Sequence, residues 1–278
     1  MLLFPNCKIN LGLHIISKRE DGYHAIETVF YPVQLKDALE GIKISMAPHC
    51  NETHNGIDFH SSGLTVAGDV NDNLCVKAYH LLKKDFPQLS SVQLQLHKVI
   101  PMGAGLGGGS ADGAFALLLF NKLYQLNLSH EELIQYALQL GSDCPFFILN
   151  KPCFATGRGE IMKEVLLDLS QYQIVLVNPG IHVSTAFAFS EIIPAKPVQS
   201  IEEIIQLPVA QWKELLVNDF EKTVSAEYPN IANIKHEMYL KGAVYASMTG
   251  SGSTVFGLFY RDKNPSLNLQ STWKAYYI

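Results

Sequence analysis

From Cys7 to Ile15 the chain alternates: Ile9, Leu11, Leu13 and Ile15 point one way and Lys8, Asn10, Gly12 and His14 the other. A period of two predicts a strand. Val92 to Ile100 alternates in the same manner, and Gln173 to Val177 is a third clear strand, closed by Asn178-Pro-Gly180. Val244 to Met248 and Thr254 to Tyr260 read as strands joined by the turn Thr249-Gly-Ser-Gly-Ser253. The helical period appears in Asn73 to Phe86, where Leu74, Ala78, Leu81 and Leu82 share a face. Ser129-His-Glu-Glu132 fits a capping box, and the helix behind it carries Leu133, Ala137 and Leu140 before stopping at Gly141. Another helix is expected from Ala111 to about Tyr124, with Ser110 opening it. Gly41 to Asp69 is polar and broken by Pro48, Gly56 and Gly63, which predicts short strands and loops. Phe154 to Lys163, with Gly157 and Gly159, reads as a turn region, and Pro194 to Pro197 as a loop. Strand runs mixed with helices in this order favour α+β over a doubly wound parallel sheet. The least committed boundary lies near residues 160–172, giving expected domains of 1–160 and 161–278.

Between a predicted strand and a predicted helix lies Pro101-Met-Gly-Ala-Gly-Leu-Gly-Gly-Gly-Ser-Ala-Asp112, with five glycines from Gly103 to Gly109. Glycine lets successive N–H groups turn toward one point, and a helix start adds unpaired N–H groups and a positive dipole end. That geometry suits a polyphosphate. The P-loop needs Lys after its last glycine, and the chain has no Gly-Lys dipeptide. A dinucleotide site would need an acid about 20 residues on, where Lys122 to Ser129 offers none. A flexible linker would be longer and would not be locked between apolar runs. An anion cradle with kinase-type chemistry is the better reading.

Composition narrows the classes. The 278 residues are 47% hydrophobic and 17% charged, which fits a compact protein with a substantial core. A net charge of −5 gives no general attraction for nucleic acid or an acidic membrane, so a polyanion must be held by local donors. Five cysteines (Cys7, Cys50, Cys75, Cys144, Cys153) without C-x-x-C spacing argue against zinc and disulfide frameworks and for a reducing cytoplasm. No secretory signal is expected at the N-terminus, and no apolar run reaches membrane-spanning length.

Single residues are ambiguous. Lys8 on a strand is ordinarily a solvated edge residue, and Asp143 after a helix end is ordinarily a turn or capping residue. Asp143 nevertheless precedes the apolar run Cys144-Pro-Phe-Phe147, and a carboxylate at the rim of a buried segment needs a partner, for which Lys8 is one candidate. Tyr23 and His24 lie just past the turn signal Asp21-Gly22, and Phe189 reads by default as a core aromatic.

Their order along the chain is more telling. Pro101–Asp112 and Met248-Thr-Gly-Ser-Gly-Ser253 resemble the GHMP kinase superfamily. Pro5-Asn-Cys-Lys-Ile-Asn-Leu11, Arg19-Glu-Asp-Gly-Tyr-His24, Gly141-Ser-Asp-Cys-Pro-Phe-Phe147 and Phe154-Ala-Thr-Gly-Arg-Gly-Glu160 resemble its branch acting on 4-diphosphocytidyl-2-C-methyl-D-erythritol. The resemblance implies a two-domain α+β GHMP kinase fold, with an N-terminal ribosomal protein S5 domain 2-like part and a C-terminal ferredoxin-like part. It implies ATP-dependent phosphorylation of that substrate's 2-hydroxyl, in the non-mevalonate route to isoprenoid precursors, with Mg2+ travelling on ATP. Asp143 would be the general base and Lys8 would hold it ionised. Pro101, Met102, Gly103, Ala104, Gly105, Leu106, Gly107, Gly108, Gly109, Ser110 and Ala111 would cradle the phosphates, with Asn73 and Lys98 near the adenosine. Tyr23 and Phe189 would stack on the cytosine and His24 would bond its edge. Asn10 and Thr185 would contact the substrate, and Gly250, Ser251 and Gly252 would close the site. Cys7 and Cys144 stand where the branch usually has Ala and Val, which suggests thiol sensitivity. Three alternatives stay open: another GHMP kinase (for homoserine, mevalonate or a sugar), a non-enzymatic binder on the same fold, and an NAD-binding oxidoreductase.

Overall fold

A computed structural model describes residues 1–44, 56–66 and 68–278, so Pro48 and Cys50 lie outside the described residues. In chain order the strands are β1 (Leu2–Leu3), β2 (Asn6–Lys18), β3 (His24–Lys36), β4 (Ala38–Lys43), β5 (Ile57–Gly63), β6 (Val92–Lys98), β7 (Cys153–Thr156), β8 (Ile161–Glu164), β9 (Tyr172–Asn178), β10 (Tyr245–Met248), β11 (Val255–Tyr260) and β12 (Lys274–Tyr277). The helices are α1 (Leu74–Asp85), α2 (Gly108–Tyr124), α3 (His130–Leu140), α4 (Cys144–Leu149), α5 (Thr185–Ser190), α6 (Ile201–Ile204), α7 (Trp212–Leu215), α8 (Asp219–Glu227) and α9 (Pro229–Leu240). None is long and apolar enough to cross a membrane among the described residues.

The chain forms two compact units, each assembled from distant segments. One holds Met1–Cys7, Leu35–Met102 and Gly107–Asn150; the other holds Lys8–Gln34, Gly103–Leu106 and Lys151–Ile278. In the first, the sheet order is β1-β4-β6-β5, with β5 parallel to β6 and the other pairs antiparallel. Its longest helix, α2, buries Ala111, Ala114, Leu117 and Phe120 together with Gly113 and Ala116, so small residues let neighbours approach on several sides. A Cβ on Gly113 would lie 2.7 Å from Leu74 Cβ, where α1 crosses closest. The predicted capping box closes: Ser129 Oγ accepts from Glu132 N, and Glu132 Oε2 accepts from Ser129 N.

The second unit carries two sheets, ordered β2-β3-β7-β8 and β10-β11-β9-β12. Its core gathers Leu13, Ile15, Val175, Val177, Phe220, Val224, Ile234, Met238, Val255 and Phe259. Residues 190–215, which match nothing in the sequence reading, form α6, a short 3-10 turn and α7, anchored by fully buried Trp212.

Four local differences from the sequence reading have physical causes. β2 is buried on both faces, because its polar side chains bond to protein groups rather than water. α2 begins at Gly108, two residues before Ser110, since Gly107 takes the left-handed conformation just ahead of it. The apolar run after Asp143 is the helix α4, with Pro145 in its first turn, where Pro is tolerated. The glycines of the Phe154–Lys163 segment make only the tip of the hairpin formed by β7 and β8.

Candidate active site

The glycine loop takes the conformation that its composition suggests. Gly103, Gly105 and Gly107 have φ of +61°, +78° and +69°, so every second residue is left-handed and the intervening amides can turn toward a common ligand. Gly105 is also sterically required. A Cβ there would sit 2.0 Å from Thr249 O, closer than any real contact. Thr249 ties this part of the loop to β2: its Oγ1 accepts from Asn10 N at 2.9 Å and lies 3.0 Å from Gly105 O. Lys8 N donates to Leu106 O at 3.0 Å and Thr254 N to Ala104 O at 3.3 Å. The Gly-Ser-Gly turn is itself held by Asn218, whose Nδ2 donates to Met248 O and Gly250 O. Thr249 was legible only as part of a turn motif. Asn218 carries no sequence signal beyond a helix-capping residue type.

Lys8 is 4% exposed, far from the solvated edge expected of a strand lysine. Its Nζ donates to Asn10 Oδ1 at 2.7 Å and stands 4.8 Å from the centre of the Phe30 ring. Asn10 Nδ2 donates to Thr28 Oγ1, which donates in turn to Gly12 O. Both ends of the Asn10 amide are therefore occupied by protein, an arrangement that orients Lys8.

Asp143 stands at the head of α4 with φ −84° and ψ −17°, half-buried, and its carboxylate makes no capping bond to that helix. Of the ordinary readings, capping thus fails, while Asp143 does sit in the turn before α4. Beside it the Cys144 thiol is fully buried; burial pushes it up to about 12, against a hydrogen bond from Ser110 that lowers it. Cys7 is equally inaccessible, so the expected thiol sensitivity at these two positions is not supported by their surroundings.

Asn73 caps α1, its Oδ1 accepting from Cys75 N at 2.9 Å. It lines a cavity of about 190 Å³ with Phe59, Leu74, Met102, Gly109 and Asp112. Lys98 lies beneath, its ammonium held by Asp37 at 2.5 Å and Asp112 at 2.8 Å with no exposure. Burial works against its charge, but the two carboxylates outweigh burial and raise its proton affinity.

Of the aromatic residues assigned to the cytosine, His24 and Phe189 lie against one another. His24 stacks on Phe189, with centroids 4.4 Å apart and planes at 16°, and Phe189 meets Phe220 edge-on. Tyr23 is 57% exposed, with the Arg158 guanidinium 4.9 Å from its ring centre. Thr185 is exposed at the start of α5.

Comparison with known proteins now bears on this geometry. The family model described as GHMP kinases N terminal domain matches residues 73–151, and that described as GHMP kinases C terminal matches 200–278. A protein of Bacteroides fragilis named 4-diphosphocytidyl-2-C-methyl-D-erythritol kinase is 55% identical over 259 residues, covering 93% of this chain and 92% of its own. The chain belongs to the GHMP kinases. A crystal structure titled 4-(cytidine 5'-diphospho)-2C-methyl-D-erythritol kinase superposes with TM-score 0.79 at 32% identity, covering 93% of this chain and 90% of the other. A homoserine kinase from Cytophaga hutchinsonii shares the fold, with TM-score 0.63 at 14% identity, over 98% of this chain and 93% of its own. As a GHMP kinase, the protein is a phosphotransferase that takes its phosphoryl group from ATP.

Proposed function

We propose that this GHMP kinase phosphorylates the 2-hydroxyl of 4-diphosphocytidyl-2-C-methyl-D-erythritol with ATP. The observation that carries the reading is the 55% identity, sustained over 93% of the chain, to a relative bearing that substrate's name. Homoserine, mevalonate and sugar acceptors are less well supported, since homoserine, mevalonate and galactose kinases match at only 11–18% identity.

Phosphoryl transfer asks chiefly for positioning and charge neutralisation. In this reading the amides from Pro101 to Ala111 take the phosphates, and the adenosine lies toward Asn73 and Lys98. Asp143 accepts the proton of the attacking hydroxyl as the new P–O bond forms and the bond to ADP breaks. Lys8 supplies positive charge to the reacting groups, and Asn10 fixes its direction. Mg2+ would arrive on ATP. No group of three His, Cys, Asp or Glu side chains suited to a metal occurs among the described residues, so phosphate oxygens and water would supply most of its ligands. Ser110 is a weak candidate for a protein ligand. Cytosine would lie against Phe189 with His24 at its edge, which requires the His24 ring to leave its present stack. Tyr23, Thr185 and Gly250–Gly252 complete the substrate side. A reducing cytoplasm is the setting that suits the free thiols of Cys75, Cys144 and Cys153.

The test is transfer of radiolabelled γ-phosphate from ATP to a panel of alcohols: the cytidyl substrate, its uridyl analogue, homoserine, mevalonate and galactose. The expected result is kcat/KM highest for the cytidyl compound. Preference for any other acceptor, or hydride exchange with a nicotinamide cofactor instead, removes the reading.

A further inference from the structure

We propose that Asp37, Lys98 and Asp112 form a positioning clamp that sets the geometry of the nucleotide loop from beneath. The inference rests on the assignment of that loop to ATP. Asp37 Oδ1 accepts from Val99 N at 2.6 Å and Ile100 N at 2.9 Å, the last amides before Pro101. Its Oδ2 takes the Lys98 ammonium at 2.5 Å, and the same ammonium donates to Asp112 Oδ2 at 2.8 Å in the first turns of α2. One ion cluster thus joins the chain entering the loop to the helix leaving it. Asp37 is anchored in turn by its own amide, which donates to Pro5 O at 2.8 Å.

Three further observations favour positioning over a fortuitous buried ion pair. The helix start rests directly on the clamp: a Cβ on Gly108 would lie 3.1 Å from Lys98 Nζ and 2.8 Å from Ile100 Cγ2. The side chains of Asp37 and Lys98 are wholly excluded from solvent, and Asp37 does not line the cavity beside Asn73, so it acts only through what it holds. Asp112 does line that cavity, and its Oδ1 is buried without a hydrogen-bond partner. A buried cluster of fixed charges defines one arrangement of its elements, because any slip strands a charge. Here the arrangement defined is the direction of the free first-turn amides of α2, where a phosphate would bind.

The variant that isolates this role is Asp37→Asn, since Asp37 reaches no ligand on any reading. KM for ATP is expected to rise about tenfold or more, because a small misplacement of binding groups is costly. KM for the alcohol should stay within about twofold, as expected when only one substrate's site is disturbed. A merely structural role would lower Tm and leave the ratio of the two KM values unchanged, and that result overturns the proposal. So does an unchanged KM for ATP, the outcome expected if Lys98 simply touched the nucleotide itself. Should Asp37→Asn not fold, Lys98→Met and Asp112→Asn replace it. Through one clamp their effects on ATP affinity do not add, whereas additive effects overturn it. Binding of ADP, measured calorimetrically on the same proteins, separates this result from the substrate assignment: the clamp can hold even if the cytidyl alcohol is not the acceptor.

Discussion

Asp143 heads a helix whose backbone it does not cap. Asp143→Ala is expected to lower kcat by ~10²–10⁴-fold, the usual cost of losing a well-placed base, while ATP binding persists. Steady-state kinetics with parallel calorimetry checks this, and near-wild-type turnover would remove Asp143 from the chemistry. The cysteines make the opposite case. Cys7, Cys75, Cys144 and Cys153 are fully buried, and burial raises the thiols of Cys75, Cys144 and Cys153 above their ordinary value. A thiolate is needed for alkylation, so peptide mapping after brief maleimide treatment of the native protein should find all four unmodified. Labelling of Cys144 ahead of unfolding would contradict its burial. Neither result was open to the sequence, in which Cys144 beside Asp143 looked reactive.

In the proposed function the glycine loop is the element on which nucleotide binding turns, and Gly105 is its least replaceable residue. A left-handed backbone alone costs a side chain about 1–2 kcal/mol, and at Gly105 a Cβ would also collide with Thr249 O. Gly105→Ala should therefore lower Tm and weaken ATP binding together, as read by differential scanning and nucleotide titration. Gly109→Ala serves as the control: φ there is not left-handed and the nearest neighbour is the flexible end of Met102, at 3.4 Å. Equal effects of the two substitutions would mean that glycine content, rather than the contact with Thr249, governs the loop. At this scale the sequence was informative. Composition exposed the glycine loop, and periodicity exposed β2, β6, α1 and α3. It missed α4 and β12, because segments of six and four residues are too short for a period to show.

At the scale of the molecule, stability should register the buried triad of charges. Burial raises the Asp112 carboxyl to about 8, only partly offset by Lys98, while Asp37 raises it further. Two carboxylates share one ammonium, so one of them keeps a proton; the neighbouring Cys75 thiol, raised well above its ordinary value, adds no charge. In the unfolded chain an aspartate releases its proton near pH 4. Between about pH 4 and about pH 8 the folded protein alone retains it, so stability from this group is complete below about pH 4, falls by at most about 1.4 kcal/mol per unit as pH rises toward 8, and levels off above. Melting curves from pH 5 to pH 9 should show wild type losing Tm relative to Asp112→Asn, and parallel curves would refute the assignment. The local pattern of the chain determined β2, β6, α1, the capping box of α3 and the glycine loop, because those depend on residues a few positions apart. Tertiary structure alone decided that Lys8 is buried, that His24 lies on Phe189, and that Asp37 and Asp112 meet Lys98 from 61 and 14 residues away. Such meetings depend on the path of the backbone through space, and no periodicity along the chain encodes them.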